Sequence, residues 1–345
     1  MAPQFDITPE KRASQLAFFQ RQLFRVPPKW TKKDVDLRGK TAIITGSNTG
    51  LGFECAGQLL DLGLSKLILA VRSESKGEEA KKLLLVDRDP LKLPAIEVWK
   101  LDLSSYDSIT AFAERAKSLE RLDITINNAA LMKKTFEKNL STGHEEIFQV
   151  NYLGQALFTL LLLPVIKEKN LPEQPGLLVL VSSDTAAWAA FKAKNSDSLF
   201  DGLDNPKLFD GRDQYSTSKL LGQLFLTELV KRVPPSVAII NAPNPGLCKS
   251  SLNHDYDSVF DRVFIFMLHL LLGRDGSVGA RAFTDAAVKQ GTESHGQYLE
   301  DGKVQPMAPL VYEIEGERLA QKLWEETMNE FAFAKAADIV HSLSK

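Results

Sequence analysis

The run Thr41-Ala42-Ile43-Ile44-Thr45-Gly46-Ser47-Asn48-Thr49-Gly50-Leu51-Gly52 constrains this chain more than any other. A short β-rich segment enters a turn that holds three glycines, and an apolar helix follows. Gly46 permits the tight turn, Gly50 lets backbone approach a pyrophosphate, and Gly52 lets the helix pack close to the strand. The helix N-terminus then offers free N–H groups and the positive end of its dipole to phosphates. The spacing Gly-x-x-x-Gly-x-Gly differs from the Gly-x-Gly-x-x-Gly dinucleotide pattern. An ordinary glycine turn before a helix has the same local look, so the rest of the chain must decide.

From Lys40 onward, short Val/Ile/Leu runs alternate with amphipathic segments. The periodicity predicts strands near 41–45, 67–71, 96–101, 123–127, 177–182, 237–242 and 296–299. Helices are expected near 50–62, 75–86, 106–119, 142–168, 214–232, 277–289 and 315–342. Near-continuous apolar strands separated by helices indicate an α/β fold: a Rossmann-type doubly wound parallel sheet covered on both faces. With 345 residues, 44% of them hydrophobic, the chain can bury one large core. The expected organisation is a helical extension over 1–38, a dinucleotide-binding domain over 39–303 and a helical extension over 304–345. In the first extension Ala13–Phe24 has helical periodicity and Pro27-Pro28 stops it. The stripe either packs on the domain or meets a membrane surface or partner. Two insertions interrupt the alternation, 187–212 and 251–274.

A formal net charge of −2 gives no electrostatic reason to expect nucleic acid as a partner. The two cysteines, Cys55 and Cys248, lie far apart without metal-ligand spacing, which points to a reducing, cytoplasmic compartment. The five histidines, 144, 254, 269, 295 and 341, suggest no metal site. The first residues are polar and lack the apolar core of a signal peptide. The longest apolar run, Val263–Leu272, falls short of the roughly 20 residues of a bilayer span, so no transmembrane segment is expected.

Tyr215-Ser216-Thr217-Ser218-Lys219 opens an amphipathic helix, and an i+4 spacing places the Lys219 ammonium on the face of the Tyr215 hydroxyl. A nearby cation is expected to lower the tyrosine pKa and ready the hydroxyl for proton exchange. The apolar strand Leu177–Val181 ends in Ser182-Ser183. Asn127-Asn128-Ala129-Ala130 ends another strand, Asn151 lies on the helix after it, and Asn241-Ala242-Pro243-Asn244-Pro245-Gly246 follows a third. These polar groups gather at the strand edge that carries the Gly46–Gly52 turn.

Together these motifs strongly resemble the short-chain dehydrogenase/reductase family, from about Gly39 to Lys303. Leu69-Ala70-Val71-Arg72, Gly279-Ala280-Arg281 and His295-Gly296-Gln297-Tyr298 are most similar to its retinol-dehydrogenase-like branch and fungal relatives. The resemblance implies a catalytic tetrad of Asn151, Ser183, Tyr215 and Lys219 beside a nicotinamide cofactor. Tyr215 would be general acid or base, and Ser183 would polarise the carbonyl. Lys219 would tune Tyr215 and bind the ribose, and Asn151 would hold a water of a proton path. Ser182 is the alternative serine. Cofactor contacts are expected from Gly46, Ser47, Asn48, Thr49, Gly50, Leu51, Gly52, Asn128, Ala129, Ala130, Tyr215, Lys219, Pro245, Gly246, Leu247 and Ser250. Asp102 and Leu103 would meet the adenine, although Asp102 also suits a helix cap. Cys248 lies either near the nicotinamide or in a small buried thiol site. Two departures stand out: Ala130 replaces the usual glycine, and the step from Ser183 to Tyr215 is long.

The end of the second strand reads Ala70-Val71-Arg72, with no carboxylate for a ribose 2′-hydroxyl. Arg72, with Lys76 a turn further on, suits a 2′-phosphate, so NADP (NADPH) is the expected cofactor. The insertions are expected to enclose a bulky, mostly apolar small molecule, retinoid-, steroid- or polyketide-like. Val263–Leu272 would be a lid, or else a helix docked on the core or at a dimer contact. The resemblance also suggests a homodimer through the apolar faces of 142–168 and 214–232. Rival readings are a non-redox scaffold (isomerase, cyclase or regulatory dinucleotide-binding protein) and a nucleotide-sugar epimerase. The intact tetrad and the apolar insertion speak against them.

Overall fold

A computed structural model describes residues 5–86, 88–89, 93–249, 252 and 267–344. Its strands are β1 (Thr41–Thr45), β2 (Lys66–Val71), β3 (Ala95–Lys100), β4 (Ile124–Asn127), β5 (Gly176–Leu180), β6 (Ala238–Asn244), β7 (Tyr298–Glu300) and β8 (Lys303–Gln305). They form one sheet in the order β3-β2-β1-β4-β5-β6-β7-β8, parallel throughout except for the antiparallel β8. The order reverses between β1 and β4, the point at which doubly wound sheets open a crevice beyond their carboxyl ends. β8 was not expected from the sequence. Asp301 (φ 49°) and Gly302 (φ 79°) both adopt left-handed backbone, the two-residue turn that an Asp-Gly pair favours between antiparallel strands.

The helices are α1 (Pro9–Ala13), α2 (Gln15–Phe24), α3 (Gly50–Asp61), α4 (Glu74–Leu85), α5 (Tyr106–Ala116), α6 (Glu146–Lys169), α7 (Leu199–Leu203), α8 (Gly211–Val230), α9 (Gly276–Val288), α10 (Ile314–Glu330) and α11 (Ala336–Leu343). Alternation of side chains along each strand sorts the core into two layers. Ile43 and Ile68 join Phe112, Phe158 and Leu224 on the face covered by α5, α6 and α8. Ala42, Ile44, Leu67 and Leu69 join Leu59, Leu84 and Phe283 on the face covered by α3, α4 and α9. α6 is long and apolar enough to cross a membrane, but 78% of its apolar window is buried in this core.

Helix boundaries depart from periodicity where side chains intervene. The expected helix 13–24 is split at Ser14, whose hydroxyl accepts from the Ala17 N–H and caps α2. The expected start at 142 moves to Glu146, because Gly143 is left-handed (φ 82°) and the buried Glu145 carboxylate caps Ile147 and Phe148. The expected helix 315–342 breaks after Glu330. Phe331 is fully buried edge-on to Tyr106, and Lys335 (φ 53°) turns the chain into α11.

The C-terminal helices lie on the faces of α6 and α8 that the sequence offered to a partner subunit. Trp324 stacks on Phe225 with centroids 5.6 Å apart. The Tyr152 and Thr327 hydroxyls meet at 2.7 Å, and Lys167 donates to the Ser342 carbonyl. Those faces are therefore covered by the chain itself. The 187–212 insertion likewise docks on α10: the Glu326 carboxylate accepts from Leu199 N–H, Phe200 N–H and the Ser198 hydroxyl. Only its first turn, at Trp188, reaches the crevice.

Candidate active site

β1 ends in a turn built by its glycines. Gly46 is left-handed (φ 63°), and a Cβ on Gly52 would come within 2.6 Å of the Gly46 carbonyl, so α3 packs directly on the turn. Asn128 fastens this turn to the end of β4. Its side-chain amide donates to the Thr45 and Gly46 carbonyls, while Thr45 Oγ1 accepts from the Asn128 and Ala129 N–H groups. Thr49 places no side-chain cap on α3, which leaves the first amides of the helix available to an anion. Gly50 lies at the edge of this opening, and nothing stands within 4 Å of where its Cβ would be.

α8 begins at a cap formed by Asp210 and carries Tyr215 and Lys219 past the end of β5. Both are buried. The Lys219 Nζ lies 5.7 Å from the Tyr215 ring centroid and donates to the Val181 carbonyl at 3.0 Å. The Ser183 side chain lies close enough to Tyr215 to favour its ionised form, and its hydroxyl accepts from the Thr185 N–H and hydroxyl. Ser182 is turned elsewhere, its Oγ accepting from Gln223 Nε2 at 3.1 Å. The geometry therefore pairs Ser183, not Ser182, with the tyrosine. Asn151 lies in a π-helical segment, Gln149–Gly154, within α6. Its amide donates to the Leu131 carbonyl and Ser218 Oγ, and its Oδ1 accepts from the Leu131 N–H.

The electrostatics differ from the sequence-based expectation. Burial pushes the Tyr215 hydroxyl up to about 12, with the Ser183 side chain opposing. Burial also pulls the Lys219 ammonium down to about 8. Desolvation outweighs the attraction expected between an i, i+4 pair because each group loses water and neither gains a counter-charge. Lys219 retains two N–H donors beyond the one given to Val181.

A cleft of about 520 Å³ joins these parts. It is lined by Gly46, Asn48, Thr49, Gly50 and Leu51 from the turn, Arg72 after β2, and Asp102 and Leu103 after β3. Asn128, Ala129 and Ala130 follow β4, and Ser183, Tyr215, Lys219, Pro245, Gly246 and Leu247 complete it. Arg72 is exposed there and has no partner among the described residues. Asp102 both lines the cleft and caps a local turn by accepting from the Ser104 N–H and hydroxyl. A dinucleotide fits this set: open helix amides for pyrophosphate, a free guanidinium after β2, and a buried ammonium with spare donors.

Three expected cofactor residues stand apart. Ser47 is buried, donates to the Ile44 carbonyl at 2.9 Å and braces the turn from inside. Gly52 also lies beneath the turn, and Lys76 points from the first turn of α4 outside the cleft lining. Ser250 lies outside the described residues, as do 251 and 253–266, which include the first four positions of the expected lid. Leu252 lines the cleft, and 267–272 is helical with Leu270 and Leu271 exposed. Cys248 both lines the cleft and is buried, its thiol pushed up to about 12. Phe18 was missed as a cleft residue, since a helical apolar stripe looks the same whether it meets core or cleft.

This sheet and cleft are those of a nicotinamide-dependent oxidoreductase of the Rossmann type. Residues 40–193 match the short chain dehydrogenase family. The chain is 50% identical to the short-chain dehydrogenase fogG of Aspergillus ruber over 100% of both chains. Among solved structures it is similar to the NADPH-dependent 3-quinuclidinone reductase of Rhodotorula rubra (TM-score 0.58, 18% identity, 79% and 93% of the two chains). It is also similar to a 3-ketoacyl-(acyl-carrier-protein) reductase of Brucella melitensis complexed with NADH (TM-score 0.56, 21% identity, 77% and 97%). The chain belongs to the short-chain dehydrogenase/reductase family of oxidoreductases, with fungal relatives.

Proposed function

We propose that the protein interconverts a carbonyl and an alcohol on a bulky, mostly apolar substrate, with NADPH as cofactor. The observation that carries this reading is the buried Ser183–Tyr215–Lys219 cluster opening on the cleft that starts at the glycine turn. When bound, the nicotinamide supplies or accepts the hydride. Tyr215 Oη holds the proton given to the carbonyl oxygen, and Ser183 Oγ orients that oxygen by a hydrogen bond. Lys219, with two uncommitted donors, binds ribose hydroxyls. Its charge in the loaded site favours the phenolate once Tyr215 has released its proton. Arg72 pairs with a 2′-phosphate, for which a guanidinium is suited and a ribose hydroxyl is not.

The proton is resupplied through a second cavity of about 50 Å³ behind Lys219, lined by Asn127, Asn151, Gln155, Thr159 and Ser218 among others. That volume has room for water. Both amide hydrogens of Asn151 are already committed. The buried Gln155 Oε1 and Asn127 Oδ1 lack protein partners, and they are the acceptors we assign to that water. Asn151 then shapes the cavity. Two buried free thiols, Cys55 and Cys248, support a reducing, cytoplasmic setting.

The reading is tested by following NADPH oxidation against a panel of lipophilic aldehydes, ketones and quinones, with NADH as control. Turnover that favours NADPH supports it. Absence of turnover with every carbonyl and both cofactors would reject it.

A further inference from the structure

The N-terminal extension docks in an unusual way. A helix that merely covered the core would bury its apolar stripe, whereas α2 leaves Leu16, Leu23 and Phe24 exposed. Its attachments are polar. Arg12, almost fully buried in the preceding helix, pairs with Asp184 at 3.0 Å and Glu300 at 3.3 Å. Arg21 pairs with the same two carboxylates, and Asn244 donates to both. Gln22 holds the Leu247 N–H and carbonyl, and Arg274 donates to the Arg21 and Arg25 carbonyls. Balanced buried charges cost desolvation and tolerate little displacement. This network fixes α2 to one position and spans the two segments that flank the reacting centre: Asp184 follows Ser183, and Asn244 precedes Pro245-Gly246.

The position so fixed sets Phe18 on the cleft. Its ring meets Trp188 edge-on, with centroids 5.2 Å apart and planes at 83°, and both residues line the cavity that holds Ser183 and Tyr215. Trp188 is itself held by α1, its Nε1 donating to the Ala13 carbonyl at 2.7 Å. Perpendicular rings present an edge and a face together, a corner that accepts a flat aromatic ligand.

We infer that the N-terminal extension is one wall of the substrate pocket, and that Phe18 with Trp188 selects planar aromatic carbonyl compounds. The inference rests on reading the cleft as a carbonyl/alcohol site and narrows its substrate class. Phe18 and Trp188 are specificity residues. Arg12, Arg21, Asp184 and Glu300 are positioning residues that act through them and through the Ser183 segment.

The test uses 2-acetonaphthone, a flat bicyclic ketone, and the full-length chain. Calorimetric binding to the protein loaded with NADP⁺ reads the pocket without turnover, since a ketone cannot be oxidised there. The wild type is expected to bind, Phe18→Ala about tenfold more weakly and Phe18→Leu in between. Leu23→Ala, exposed on the same helix, should bind like wild type. Melting temperatures within a few degrees of each other would confirm that the variants are folded. Equal affinity of Phe18→Ala and wild type, or no binding by the wild type, overturns the inference. Turnover of the same ketone with NADPH is measured separately: binding without turnover there would count against the oxidoreductase reading of the site and leave the aromatic wall standing.

Discussion

Lys219 and Tyr215 show how much one residue's chemistry depends on its surroundings. The Tyr-x-x-x-Lys spacing was legible because i and i+4 share a helix face. The direction of their shifts was not, because desolvation comes from neighbours distant in sequence: both side chains are buried beneath strands and turns that α8 meets only in the fold. Lys219 titrates at about 8 in the native state against 10.5 when solvated. Between those values the unfolded chain binds more protons, so native stability rises with pH there. Denaturant melts from pH 7 to 10.5 should show wild type gaining stability relative to Lys219→Met across that window. A flat difference would mean the ammonium is not desolvated. Arg72 belongs at the same scale, since Arg72→Ala removes one charged donor from the cleft. Such a bond contributes about 1.5–3 kcal/mol, so the Michaelis constant for NADPH should rise about 10–150-fold while that for NADH stays put. An equal effect on both would remove Arg72 as the discriminator.

At the scale of elements, the sequence was most readable where period and burial agree. β1 and β2 were expected close to where they lie, because strands buried on both faces are near-continuous apolar runs. It was least readable where one side chain redirects the backbone, as Phe331 does between α10 and α11. The Asp301-Gly302 hairpin carried a usable signal that strand periodicity over three residues could not supply. The C-terminal helices lay where helix was expected, but their docking partners were not legible, since an amphipathic stripe does not name the surface it covers. Trp324 is the strongest single link: it stacks on Phe225, and the Arg232 guanidinium lies 4.4 Å from its ring centroid. Trp324→Ala should cost roughly 3–5 kcal/mol, as large-to-small changes in a core do. Urea melts showing a loss under about 1 kcal/mol would mean that α10 is only loosely held.

Across the whole molecule the N-terminal extension meets the start of the C-terminal one. α1 contacts the segment Pro309–Tyr312, where Phe5 and Tyr312 rings pack 6.0 Å apart, and the buried Arg12 reaches Glu300 at the end of β7. The doubly wound sheet and the ordered glycine, serine, tyrosine and lysine motifs were legible because each motif sits at a strand end and the sheet brings those ends to one edge. The wall contributed by the N-terminus was not, because Phe18 and Trp188 are 170 residues apart in sequence and long-range ion pairs and hydrogen bonds bring them together. The central claim is that this edge performs proton transfer at Tyr215. It is tested most directly by Tyr215→Phe, with turnover of a carbonyl accepted by the wild type measured beside NADPH affinity by calorimetry. Loss of the general acid should lower kcat about 10²–10⁴-fold with NADPH affinity nearly unchanged. A Phe variant that keeps wild-type turnover would contradict it.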